Sequence, residues 1–111
     1  HPETDVLGHP TGRLINDRPG LTLDVDRLAA AAAGAETALE INADPRRLDL
    51  RASYVKAAIE AGATVVIDTD AHSTGAYEHV RFGVHTARRG WAEPDDVLNC
   101  RDADGLGEFL E

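Results

Sequence analysis

The chain has 111 residues, 11 basic against 20 acidic side chains for a net charge of -9, and a single cysteine. That length builds one domain at most and falls well short of the ~250 residues of a closed (β/α) barrel. The acidic balance counts against a nucleic-acid groove made by this segment alone, and a lone cysteine excludes a disulfide framework or a Cys-rich zinc ribbon.

Three units of similar build follow one another. "DVLGH" (residues 5–9) reads as a short strand, "RLINDRPGLTL" as a loop, and "DVDRLAAAAA" (24–33) as a helix capped by Thr22 or Asp24 and ended by Gly34. "TALEIN" (37–42) is the second strand, "ADPRRLDL" its loop, and "RASYVKAAIEA" (51–61) the second helix, closed by Gly62. "TVVID" (64–68) is the third strand, whose continuous Val-Val-Ile suits a parallel sheet buried on both faces. After the "TDAHSTG" loop a helix over 76–89 sets Tyr77, Val80, Val84 and Ala87 on one side, and Gly90 stops it. A short segment starts at Pro94, and "LGEFLE" closes the chain. This alternation predicts an α/β fold of βα units with parallel strands.

The sequence holds no methionine and opens on His1-Pro2, which reads as a piece of a longer protein. Lys56 is the sole lysine; arginine-rich, acidic composition suits a high-salt cytoplasm, or equally an ordinary solvated surface in an arginine-favouring genome. The longest apolar stretch, "LAAAAAGA", is too short and alanine-rich for a membrane span, so a cytoplasmic protein with no membrane partner is expected.

Chemistry gathers at the strand ends. Asp68, Asp70 and His72 stand at alternate positions, which in a strand share a face, and unpaired charge buried there costs several kcal/mol, roughly, unless compensated. His9, Glu40 and Asp70 are spaced by 31 and 30 positions, one βα unit per step, which brings them to the same carboxyl edge. Imidazoles and carboxylates converging there are a natural ligand set for manganese, zinc or iron, and the cation supplies the charge that Asp70 needs. His9, Asp70 and His72 are the candidate metal ligands. His9 has a competing reading as a loop hydrogen-bonding residue, and Glu40 and Asn42 as helix-capping or loop-orienting groups. Asp68 reads as a strand-end partner of an arginine. Arg13, Arg46 and Arg47 either hold phosphate oxygens or form salt bridges to Asp44 or Asp49. His79 and His85 read as solvated, and Cys100 as packed rather than catalytic. "GHPTGR" lacks the Gly-Lys-Ser/Thr ending of a Walker loop, although an open nucleotide-binding sheet remains a further reading of the pattern.

Taken together, "LGHPTGRLI", "EINADPRRLDLR", "DTDAHS" and "RRGWAEPDDVLNC" resemble the carboxyl-terminal half of a PHP (polymerase and histidinol phosphatase) domain, in the form attached to bacterial and archaeal family X DNA polymerases. The resemblance implies part of a distorted (β/α)7 barrel whose amino-terminal half is absent, with a trinuclear metal site at the strand ends. His9, Asp70 and His72 fall on its metal ligands, while Glu40, Asn42, Arg13 and Arg47 are carried as site residues. The implied activity is metal-dependent hydrolysis of phosphoesters at DNA 3′ ends, as a 3′ to 5′ exonuclease or 3′-phosphatase, by the longer protein. A histidinol-phosphatase-like small phosphomonoesterase and a non-catalytic brace for a polymerase are the alternatives. The segment alone is expected to be inactive and, with apolar faces of its first two helices uncovered, to self-associate.

Overall fold

The computed structural model describes residues 1 and 3–111. Three parallel strands, β1 (Val6–Leu7), β2 (Ala38–Asn42) and β3 (Val65–Asp68), form one sheet in sequence order, with Leu7 beside Leu39 and Asn42 beside Asp68. Helices α1 (Val25–Ala35), α2 (Ala52–Glu60), α3 (Val80–Arg89) and α4 (Ala103–Leu110) complete the α/β alternation. The first expected strand is shorter than its five apolar-to-polar residues suggest, because Gly8 leads directly into a turn over residues 9–12.

The helices end where local chemistry directs. Asp24 caps α1, its carboxylate accepting the Arg27 amide at 3.2 Å. This helix runs through Gly34 and ends at Glu36, whose φ of 53° supplies the left-handed turn expected of the glycine. For α2, the turn falls at Gly62 (φ 86°), as its position implies. The expected helix over 76–89 divides into a 3-10 turn (Thr74–His79) and α3, which Gly90 stops.

Leu39, Ile41, Val65 and Ile67 form one core cluster with residues of α1, α2 and α3, so these helices cover one face of the sheet. Burial on both faces holds for β2, whose five residues are all buried, but only in part for Val-Val-Ile of β3, where Val66 is half-buried; the face away from these helices carries Glu40, Asn42 and Asp68. Close packing needs glycine at two points. A Cβ on Gly83 of α3 would lie 2.5 Å from Ile67 Cγ2 and 3.0 Å from Ala43 Cβ, and one on Gly90 would lie 2.9 Å from the Ala52 carbonyl oxygen.

The apolar faces of α1 and α2 are covered, with Ala29, Ala32, Val55 and Ala58 buried, contrary to the exposure expected of them. Exposed apolar side chains sit instead on β1 (Val6, Leu7) and on α3 (Val80, Val84). Cys100 is free and exposed rather than packed. Among the described residues, no helix is long and apolar enough to cross a membrane.

Candidate metal centre

The site starts from the alternation in β2. With Leu39 and Ile41 directed into the core, Glu40 and Asn42 project from the other face, and the register sets Asn42 beside Asp68. Glu40 is buried and Asn42 wholly so. The Asn42 amide nitrogen donates to Glu40 Oε1 and to Asp70 Oδ2, each at 3.2 Å, while Asn42 Oδ1 accepts the Asp44 amide at 3.0 Å. One side-chain amide thus ties the carboxylates of two strand ends together.

His9 reaches this cluster through its backbone. Its amide donates to Glu40 Oε1 at 2.6 Å, and its carbonyl accepts the Gly12 amide at 2.9 Å to close the turn. Gly12, with φ 69°, suits the left-handed position of that turn.

The even spacing of Asp68, Asp70 and His72 does not put them on one strand face, because β3 stops at Asp68 and Asp70 takes a left-handed backbone with φ 49°. Aspartate is among the few non-glycine residues that adopt it readily. The bend turns the Asp70 carboxylate toward Asn42 and within 4.0 Å of Arg47 Nε. The exposed His72 ring lies back on the same loop, its Nδ1 2.7 Å from the Asp70 carbonyl oxygen.

Negative charge exceeds positive charge at this edge. Burial, then the adjoining Glu40 carboxylate, then Asp70, push the Asp68 carboxyl from 3.8 up to about 7. Asp68 Oδ1 is buried with no hydrogen-bond partner, so the strand-end arginine expected for it is not there. Arg47 supplies a cation beside Asp70, and its own Nη1 is buried without a partner. Carboxylate and amide oxygens with the His72 imidazole on the Asp70 loop fit a divalent metal chemically, and the orphaned Asp68 oxygen is the kind of group a cation would satisfy. Among the described residues, no three His, Cys, Asp or Glu side chains converge as a ready-made ion site.

The arginines separate into three roles. Arg46 pairs with Asp44, Nη2 to Oδ2 at 2.7 Å, and this hydrogen bond holds the Asp44 carboxyl below its usual value. Arg13 turns its guanidinium to the protein, donating from Nε to the Arg47 carbonyl at 2.7 Å and from Nη2 to that of Leu48. Arg47 alone of the three stands at the acidic cluster.

The sequence reading took Asp49 only as a candidate arginine partner and did not single out Asn99. Asp49 is fully buried and accepts from Thr11 N, Thr11 Oγ1 and Gly12 N at 3.0, 2.8 and 2.9 Å, rather than from an arginine. An acid between Leu48 and Leu50 in "RRLDLR" was the available signal. Asn99 accepts the Ile67 amide at 2.7 Å and donates to the Ile67 carbonyl at 2.8 Å, sealing the outer edge of β3 in the manner of another strand. That bridge explains the asparagine of "DDVLN".

The chain is 46% identical over 107 residues to the DNA polymerase/3'-5' exonuclease PolX of Bacillus subtilis (strain 168), and the match takes in 96% of this chain. It spans about a fifth (19%) of the length of that curated relative. No family model matches the chain. An alignment of this identity across nearly the whole chain makes it a homologue of one segment of that protein.

Proposed function

We propose that this chain supplies part of a divalent-metal phosphoesterase centre, at the strand ends of a distorted (β/α)7 barrel of the PHP type, with which the longer protein hydrolyses phosphoesters at DNA 3′ ends. The observation that carries this reading is the surplus of carboxylates at one strand edge, with Asp68 raised to about 7 and one of its oxygens orphaned. A fold does not retain such a cluster for stability, since charge without a partner costs free energy when buried. The name of the B. subtilis relative, which includes a 3'-5' exonuclease, supports the same direction.

Each residue then has a task. The Asp70 carboxylate and the imidazoles of His9 and His72 hold manganese, zinc or iron. Glu40 fixes the His9 turn through the His9 amide, and Asn42 fixes Asp70. Arg47, a partly exposed cation whose Nε lies 4.0 Å from Asp70, would take a phosphate oxygen of the substrate. Arg13 holds the carbonyls of the loop that carries Arg47 rather than meeting substrate itself. Bound metal would supply an activated water and neutralise the phosphoester charge.

Asp70→Asn in the longer protein tests the reading. Manganese-dependent release of nucleotides or phosphate from a DNA 3′ end should fall by on the order of a thousandfold or more, with DNA synthesis retained. A second reading, a non-catalytic brace for the polymerase, is favoured by the absence of a converged three-ligand set among the described residues. It expects hydrolysis unchanged by Asp70→Asn.

A further inference from the structure

The two loops that flank the acidic cluster hold each other by reciprocal side-chain grips. From the loop after β2, the buried Asp49 carboxylate reaches into the turn after β1 and takes Thr11 N, Thr11 Oγ1 and Gly12 N. From the turn after β1, Arg13 reaches back and binds the carbonyls of Arg47 and Leu48. Thr11 is pinned on its other side as well, its carbonyl accepting the Leu21 amide at 2.7 Å. Asp49 is itself fixed in place, because its backbone exchanges hydrogen bonds with Asn42, the residue that ties Glu40 to Asp70.

We propose that Asp49 and Arg13 are positioning residues: their mutual clamp sets the His9 turn against Glu40 and the Arg47 side chain against Asp70. Successive amides of a tight turn form a concavity suited to an anion, and here the protein fills it with its own carboxylate. Three donors converge on Oδ2 of a carboxylate that is wholly removed from water, so the grip depends on a side chain of this length and is strengthened by its charge. Without it, the turn over residues 9–12 keeps its own 9–12 hydrogen bond, the Leu21 and Arg18 contacts and the His9 amide bond to Glu40, but loses the hold of Asp49 from the loop after β2, so the His9–Glu40 bond opens more readily. Asp49 and Arg13 thereby act on both flanks of the site while touching neither Asp70 nor His72. This assignment rests on the metal-centre reading only for its consequence in metal binding; the positioning itself is measurable without metal.

The experiment compares amide hydrogen exchange in the wild-type protein and in Asp49→Asn, which keeps the shape, removes the charge that strengthens the three bonds on Oδ2 and puts an N–H donor where Oδ1 lies 3.3 Å from the Thr11 amide. The His9 amide, held by Glu40, should exchange at least tenfold faster in the variant, while the Leu39 amide, bonded to the Thr64 carbonyl at 3.0 Å, keeps its protection. Unchanged His9 exchange, or equal acceleration at His9 and Leu39, overturns the proposal. Should Asp49→Asn fail to fold, Arg13→Gln cuts the other half of the clamp and is read at the same two amides. Manganese titration followed by broadening of the histidine ring signals then tests the consequence. In wild type, His9 and His72 should broaden together; in Asp49→Asn both rings should need about tenfold to a hundredfold more manganese, because they share the ion whose ligand has been loosened. Midpoints that stay at their wild-type values in the variant contradict the positioning role. A wild-type protein in which neither ring broadens rejects the metal centre, leaving the metal-free exchange result to decide the clamp.

Discussion

Replacing Asp68 with asparagine should stabilise the metal-free protein at neutral and alkaline pH. Unfolded, this carboxyl ionises near 3.8; folded, burial and the neighbouring Glu40 and Asp70 carboxylates hold its proton until about pH 7. The folded state therefore binds the proton that the unfolded state releases. The resulting cost is absent below the unfolded value, grows between the two and is complete above about pH 7. A rise of about three pH units corresponds to ~4 kcal/mol at full strength, and solvent access to this half-buried group reduces that to about 1–2 kcal/mol. The Asp68→Asn substitution keeps the shape and removes the charge, so denaturant unfolding should give a gain of about 1–2 kcal/mol at pH 8 and none at pH 3. Manganese should reverse the order, because the parent gains RT ln(1 + [L]/Kd) from a bound ion and the variant gains less. A variant less stable than its parent at pH 8 in chelator would refute the idea that the strand edge carries excess negative charge.

Asp44 works in the opposite sense: its hydrogen bond from Arg46 depresses its pKa, so its contribution is present above the unfolded value of 3.8 and lost as acid titrates it. Unfolding curves of Asp44→Asn should accordingly differ from the parent at pH 6 and converge with it in strong acid. Gly83→Ala places a methyl 2.5 Å from Ile67 Cγ2 and should cost about 1–3 kcal/mol in thermal unfolding; an unshifted midpoint would mean that α3 does not pack as closely as described. Asn99→Ala removes both bonds to Ile67 and should cost about 1–3 kcal/mol, with faster exchange of the Ile67 amide as the local signature.

Order and type of the elements were legible because each βα unit repeats the same signals: an apolar run, a polar loop, a helix stop. Residues His9, Glu40 and Asp70 recur at one-unit spacing, and the structure does put all three at the carboxyl edge of adjacent parallel strands. Local backbone geometry was not legible. Even spacing at Asp68, Asp70 and His72 implies a shared face only while the strand continues, and Asp70 breaks it with a left-handed turn. Glu36 taking the turn expected of Gly34 has the same origin, a choice among neighbouring residues that propensity alone does not decide. The destination of Arg13 was hidden for another reason. A guanidinium in a loop serves a phosphate or a carbonyl equally well, and only the approach of the 44–50 loop, which is long-range, selects between them. The chemical difference between the two faces was readable in "ALEIN", whose alternation separates Leu39 and Ile41 from Glu40 and Asn42; the uniform Val-Val-Ile of β3 concealed it.

An anomalous difference map at the manganese edge, from crystals soaked in manganese, tests the metal centre most directly. Peaks bounded by the Asp70 carboxylate and the His9 and His72 rings are the expected result, and Asp70→Asn should erase them. Peaks confined to scattered surface carboxylates, with none at the carboxyl edge of β2 and β3, would contradict it.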